Sequence, residues 1–267
     1  MPATVVETSR SAAMILDKFR LDGQVALVTG AGSGLGQAMA LALAEAGADV
    51  ALLGRRKALV EETAREIGKR GRKALAARAD VSKAAEVKSA VERAEEALGP
   101  IGVLVNAAGV FNGEPTLGLS DEAWRLVIDV NLTGTFIASR AVGAGMVARG
   151  KGSIINVATF LGERGQRAAR AAYNASKAGV AALSRALSVE WGQYGVRVNC
   201  ISPGAHRTPM TAPALANPEA EKWLKGKTVL GRVGEPGDIM GLCVFLASDA
   251  SAYITGANIY EDGGGWV

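Results

Sequence analysis

V-A-L-V-T-G-A-G-S-G-L-G, Val25 to Gly36, is the stretch on which the fold turns. Val25 to Thr29 is a short apolar run, the pattern of a strand buried on both faces. Gly30, Gly34 and Gly36 follow. A helical pattern then places Leu35, Met39, Leu43 and Ala46 along one face and stops at Gly47. Strand, glycine loop and helix in that order predict a βαβ unit of a parallel sheet. Glycines let the backbone turn tightly, and the free N–H groups at Ser33, Gly34, Leu35 and Gly36 suit a pyrophosphate. The spacing is not G-x-G-x-x-G, and no Gly-Lys-Ser/Thr follows, which excludes a P-loop.

The next strand, Asp49 to Leu53, ends in Gly54-Arg55-Arg56. A carboxylate at such a strand end would grip a ribose 2′-hydroxyl. Glycine followed by two guanidinium groups favours a 2′-phosphate, hence NADP as cofactor, with NAD the lesser choice. A helix from Ala58 to Lys69 leads to a strand near Lys73 to Arg78. Asp80, followed by Val81, is either the partner of an adenine amino group or the N-cap of a helix over Lys83 to Leu98. Ile101 to Val105 is the fourth strand. It closes in Asn106-Ala107-Ala108-Gly109, small residues beside which a cofactor can lie.

Glu122 to Met146 reads as one long helix containing Asn131, an indifferent mid-helix residue that by itself reads as solvent-exposed. Ser153 to Ala158 is the fifth strand and delivers Thr159. Tyr173 to Tyr194 is a helix and Arg197 to Ile201 the sixth strand, followed by Pro203-Gly204. Residues 205 to 230, with Pro209, Pro213 and Pro218 as breakers, read as a mobile lid. A helix from Gly237 to Ser248 and a strand at Asn258 to Tyr260 complete the chain. Alternating strands and helices without a composition break predict one doubly wound α/β sheet, with ligands at the carboxyl ends of its strands. Residues 1 to 20 read as an arm before a single domain over 21 to 267.

Of 267 residues, 49% are hydrophobic and 21% charged, so a packed core is expected and disorder is not. The net charge of +4 is spread along the chain, with no basic stripe carrying interleaved aromatics, so nucleic acid is not an expected partner. One histidine and two isolated cysteines build no metal site; Cys200 and Cys243 read as reduced core residues of a cytoplasmic protein. No signal peptide and no membrane-length apolar run are present.

Tyr173 and Lys177 stand at i and i+4, on one face of a helix. An ammonium beside a phenol favours phenolate, which would bring a tyrosine toward acid/base work near neutrality. Arg164, Arg167, Arg170, His206 and Arg207 lie in the two segments flanking the expected pocket. They suit an anionic or polyhydroxylated substrate, or else are exposed loop arginines.

With these residues in place, Leu21 to Trp266 resembles the short-chain dehydrogenase/reductase family. The resemblance is carried by T-G-x-x-x-G-x-G at Thr29 to Gly36, N-A-A-G at Asn106 to Gly109, Asn131, Y-x-x-x-K at Tyr173 to Lys177, and Pro203-Gly204. It implies a Rossmann-like sheet of about seven strands with helices on both faces, a nicotinamide cofactor and a homotetramer. It also implies roles: Tyr173 as general acid/base, Lys177 lowering its pKa and binding the nicotinamide ribose, Asn131 holding a relay water, and Thr208 steadying the carboxamide or a phosphate. Thr159 stands where the family usually has Ser, one residue farther from Tyr173 than usual. Phe160, at the usual spacing, has no donor, so Thr159 followed by a loop insertion is preferred. The expected activity is NADP(H)-linked interconversion of a carbonyl and a secondary alcohol. The chain somewhat resembles the gluconate and deoxygluconate dehydrogenase branch, which points to a sugar acid or keto sugar. Reduction of a 3-oxoacyl carrier protein is the alternative substrate class. A regulatory protein that binds the cofactor with little turnover, motivated by Thr159, is the alternative of another kind.

Overall fold

The computed structural model describes residues 14–160 and 170–265. Seven strands form one sheet: β1 Val25–Thr29, β2 Asp49–Gly54, β3 Ala74–Arg78, β4 Ile101–Asn106, β5 Gly152–Val157, β6 Val196–Pro203 and β7 Asn258–Glu261. Their order is β3-β2-β1-β4-β5-β6-β7, and every pair is parallel. The order reverses between β1 and β4, which opens a crevice at the carboxyl ends of those two strands.

Side-chain alternation divides the interior into two cores. Ala26 and Val28 of β1 face α1 (Gly34–Glu45) and α9 (Asp238–Ala247), where they meet Met39, Leu43, Ile239 and Cys243. Val25 and Leu27 face the opposite way. They share a core with α3 (Ala84–Leu98), α5 (Gly134–Arg149) and Leu187 of α6 (Ala171–Gly192). Helix α2 (Lys57–Lys69) joins the first layer through Val60 and Ile67. Both faces of the sheet are therefore covered, as continuous apolar strands require.

The expected long helix is not regular. It runs as α4 (Asp121–Ile128), a π-helical turn Asp129–Thr133 and α5. Asn131 sits in the π turn and is 0% exposed, so the exposed reading is wrong. Such a turn widens the ladder locally and swings side chains inward. Residues 205 to 230 hold two short helices, α7 (Ala212–Leu215) and α8 (Pro218–Lys225). Pro213 and Pro218 open these helices rather than break them, since a first-turn proline gives up no intrahelical bond. At the amino end, Ile15–Phe19 forms a 3₁₀ turn, and Phe19 packs against Phe245 with ring centroids 6.1 Å apart.

Candidate active site

The carboxyl ends of the strands carry the site because register brings one row of residues together: Leu53, Thr29, Asn106, Asn156, Cys200 and Asn258 are neighbours across the sheet. Above that row runs a cleft of about 540 Å³. One end is the glycine loop. Gly30 adopts φ +70°, and a Cβ there would lie 2.7 Å from the Ala108 amide, while a Cβ on Gly36 would drive into the Gly30 carbonyl. Only glycine lets the loop sit this close to the turn after β4. The Ser33 side chain does not cap α1, so the first-turn amides are left facing the cleft. The Ser33 hydroxyl instead accepts from Arg56 Nη2 at 2.9 Å.

Arg55 and Arg56 are exposed on the rim beside Gly54. Asp80 Oδ1 accepts from the Ser82 amide at 3.0 Å and the Ser82 hydroxyl at 2.8 Å. Burial raises its pKa, but those two bonds and the charge of Arg55 outweigh it and hold the carboxyl below its ordinary value. Asp80 is not the helix cap, because α3 is capped at Lys83, the residue just past the turn that Asp80 makes with Ser82.

At the other end stand Thr159, Tyr173, Lys177, Pro203, Gly204 and Thr208. Thr208 closes over the glycine loop: a Cβ on Gly34 would come within 3.3 Å of it. Thr159 is buried and hydrogen-bonded to the Tyr173 side chain, whereas Phe160 is turned toward Gly265. The expected insertion and the arginines at 164 and 167 lie outside the described residues.

Lys177 is buried, and its Nζ donates to the Val157 carbonyl at 2.6 Å. Loss of water pushes its amine down to about 8. Tyr173 moves the other way. Burial raises its pKa, and the bond to Thr159 and the charge of Arg170 only partly offset it. In the protein alone the phenol is therefore held above its ordinary value, with Thr159 and Arg170 the groups that act to lower it. The helical spacing is right, but the ammonium bonds a backbone carbonyl and the phenol is half-buried in the cleft wall.

Asn131 and Asn106 do not line the cleft; they brace it from behind. Asn131 Oδ1 accepts from the Val110 amide at 2.8 Å, and Nδ2 donates to the Val110 carbonyl and to Ser176 Oγ, both at 3.0 Å. Ser176 Oγ donates in turn to the Tyr173 carbonyl at 2.7 Å. Asn106 Nδ2 donates to Ser139 Oγ and to Asn156 Oδ1 at 2.8 Å, so its side chain lies behind the strand ends rather than against a cofactor. Ala107 and Gly109 do line the cleft. Sequence reading missed Ser139, Asn156 and Ser176, which carry no signal beyond being polar residues in apolar runs.

Two further expectations change. Arg207 is tied to Glu221 and, at 3.0 Å, to Glu235, which removes it from the substrate. His206 reaches the cleft wall but is 3% exposed. Its Nε2 lies 2.9 Å from Glu261 Oε2, close enough for an ion pair though off the line of a hydrogen bond. Burial lowers its pKa, but the neighbouring Glu261 carboxylate more than offsets this and raises it overall.

Residues 30–265 match the family described as enoyl-(acyl carrier protein) reductase. The chain is 45% identical over 250 residues to a galactitol 2-dehydrogenase (L-tagatose-forming) of Cereibacter sphaeroides, covering 92% of this chain and 96% of the relative. A crystal structure of a short-chain type dehydrogenase/reductase from Mycobacterium marinum superposes with a TM-score of 0.91 at 38% identity, covering 95% of this chain and 99% of that one. A gluconate 5-dehydrogenase from Burkholderia cenocepacia J2315, in complex with NADP and tartrate, superposes with a TM-score of 0.90 at 35% identity, covering 94% and 98%.

Proposed function

This chain belongs to the short-chain dehydrogenase/reductase family, and from that premise we propose that it is an NADP(H)-dependent oxidoreductase acting on the CH–OH group of a sugar acid or polyol. One observation carries the reading. A phenol hydrogen-bonded to a buried hydroxyl stands in the same cleft as an uncapped helix start and a pair of rim arginines. The glycine loop fits a dinucleotide pyrophosphate, since the space above it is one that a Cβ would fill. Arg55 and Arg56 suit a 2′-phosphate, and Asp80 and Val81 flank the adenine end. When bound, the nicotinamide supplies or takes up the hydride.

The chain's own residues handle the proton. Tyr173 gives its proton to the substrate oxygen in reduction and takes it in oxidation, while Thr159 holds that oxygen in line. Lys177 would hold the ribose of a bound cofactor and keeps its positive charge at neutral pH, as its amine titrates near 8. The Asn131 turn holds the relay that resupplies the proton, and Gly109 lies between Asn131 and Lys177 with room for it: a Cβ there would only touch Asn131 Oδ1 and Lys177 Nζ, at 3.5 and 3.6 Å. Residues 205 to 230 close over the substrate. The tartrate in the Burkholderia relative is a hydroxylated dicarboxylate, which agrees with a sugar-acid class.

The protein acts as a homotetramer in the cytoplasm. In support, α4, α5 and α6 expose Trp124, Leu126, Phe136 and Val189, and no described helix is long and apolar enough to cross a membrane. The test is a panel of aldonates, hexitols and 3-oxoacyl thioesters, run with NADP and with NAD in both directions. NADP-linked oxidation of an aldonate or hexitol is expected. Turnover confined to acyl thioesters, or none at all, would remove the proposal.

A further inference from the structure

We infer that Arg170 selects the substrate: its guanidinium, seated on Phe111 beside Tyr173, is the docking point for a carboxylate carried by the same molecule as the reacting alcohol carbon. The inference rests on the oxidoreductase reading and narrows its substrate class from sugar acid or polyol to sugar acid.

Arg170 is the residue at which α6 begins, three positions before Tyr173. Its guanidinium carbon lies 5.5 Å from the centroid of the Phe111 ring. That ring stands edge-on to Tyr173, with centroids 5.3 Å apart and planes at 74°. The three side chains form one cluster of cation, aromatic ring and phenol. Phe111 is 44% exposed and belongs to no core, so these two contacts are what hold its ring.

Among the described arginines near the cleft, Arg55 lies at the opposite end, beside Gly54 and Asp80, and three others are engaged. Arg207 holds Glu221 and Glu235, Arg232 holds Asp238, and Arg56 reaches Ser33. Arg170 forms no ion pair with a carboxylate among the described residues. A guanidinium resting over a ring keeps its in-plane N–H fork, and that fork matches a carboxylate bidentately. The Tyr173 hydroxyl faces the reacting carbon, and the neighbouring cation faces a group carried elsewhere on the same molecule. An aldonate oxidised at a carbon remote from its carboxylate has that shape; a neutral polyol has no charge to place there.

The test is calorimetric binding of D-gluconate and of galactitol with NADPH present, so that neither alcohol is oxidised. The protein is expected to prefer gluconate by about ten- to a hundredfold, the size of a charge-assisted hydrogen-bonded pair. Arg170→Gln should bring the ratio close to one. Arg170→Lys should keep part of it, because a point charge replaces a fork, and this variant also guards against a local folding defect. Equal affinity in the parent, or a preference that survives Arg170→Gln, overturns the inference. A preference that holds while no alcohol supports NADP-linked turnover would instead remove the oxidoreductase reading and leave the carboxylate site standing.

Discussion

The residue that the site treats most expensively is Lys177. Its amine titrates near 8 in the fold, against 10.5 ordinarily. Between those values the unfolded chain binds more protons than the native one, so stability rises as pH climbs through that window. Below about pH 8 both states are protonated and the fold bears the full cost of a buried ammonium, on the order of 3 kcal/mol. Replacing the amine with an apolar chain of similar reach should relieve it. Lys177→Met is therefore expected to be more stable than the parent at pH 7 by about 1–3 kcal/mol, with the difference shrinking toward pH 10.5, while turnover falls a hundredfold or more. Urea unfolding at pH 7 and pH 10 reads this directly. A variant less stable than the parent at pH 7 would mean that the bond to the Val157 carbonyl outweighs the desolvation of the charge. Tyr173 shows why its chemistry was only half legible in the sequence. Spacing gave its partner on the helix, but the sign of its pKa depends on burial and on which group the ammonium actually touches, and neither is a local property.

Among the elements, the π turn at Asp129–Thr133 does most to place the chemistry. It turns Asn131 inward, where one side chain ties the loop after β4 to the first turn of α6 through Ser176. Asn131→Leu would strand the half-buried amide and carbonyl of Val110 and take a donor from the buried Ser176 hydroxyl, and should lower stability by about 2–4 kcal/mol. Ser176→Ala alone should lower it by about 1 kcal/mol. The two share one bonded chain, so the double variant should fall short of the sum by 0.5 kcal/mol or more, on the usual scale of coupled neighbours. Strict additivity in urea unfolding would mean that the chain is not a unit. The sequence gives no warning of this turn. Its apolar pattern continues through Asn131 unbroken, and the energy that selects a π turn comes from Val110 and Ser176, far away along the chain. The same reason hid the fate of Arg207, whose partner Glu221 is 14 residues on. By contrast the strands, the glycine loop and most helix ends were legible, because periodicity and glycine placement are local. Even Asp80, a cleft residue as expected, missed the helix cap at Lys83 only because its side chain closes a turn with Ser82.

At the scale of the whole molecule, the cleft spans both halves of the sheet, from Asp80 beyond β3 to Thr208 beyond β6. A ligand lying along it contacts segments that unfolding would separate, so it binds the native state alone and must stabilise the fold by mass action. At a hundred times its dissociation constant, NADP should add about 2.7 kcal/mol. For a chain of 267 residues that is a rise in Tm of about 5 °C or more. NAD lacks the 2′-phosphate and so gains nothing from Arg55 and Arg56; at the same concentration it should raise Tm by clearly less. Replacing both arginines with alanine should bring the NADP shift down to that of NAD and leave the NAD shift nearly as it was. Neither arginine supports the core, since both are exposed, so the unliganded Tm should move little. Equal shifts with the two cofactors in the parent would remove the 2′-phosphate assignment while leaving the glycine loop as a pyrophosphate site, because the amides of that loop read only the part the two cofactors share.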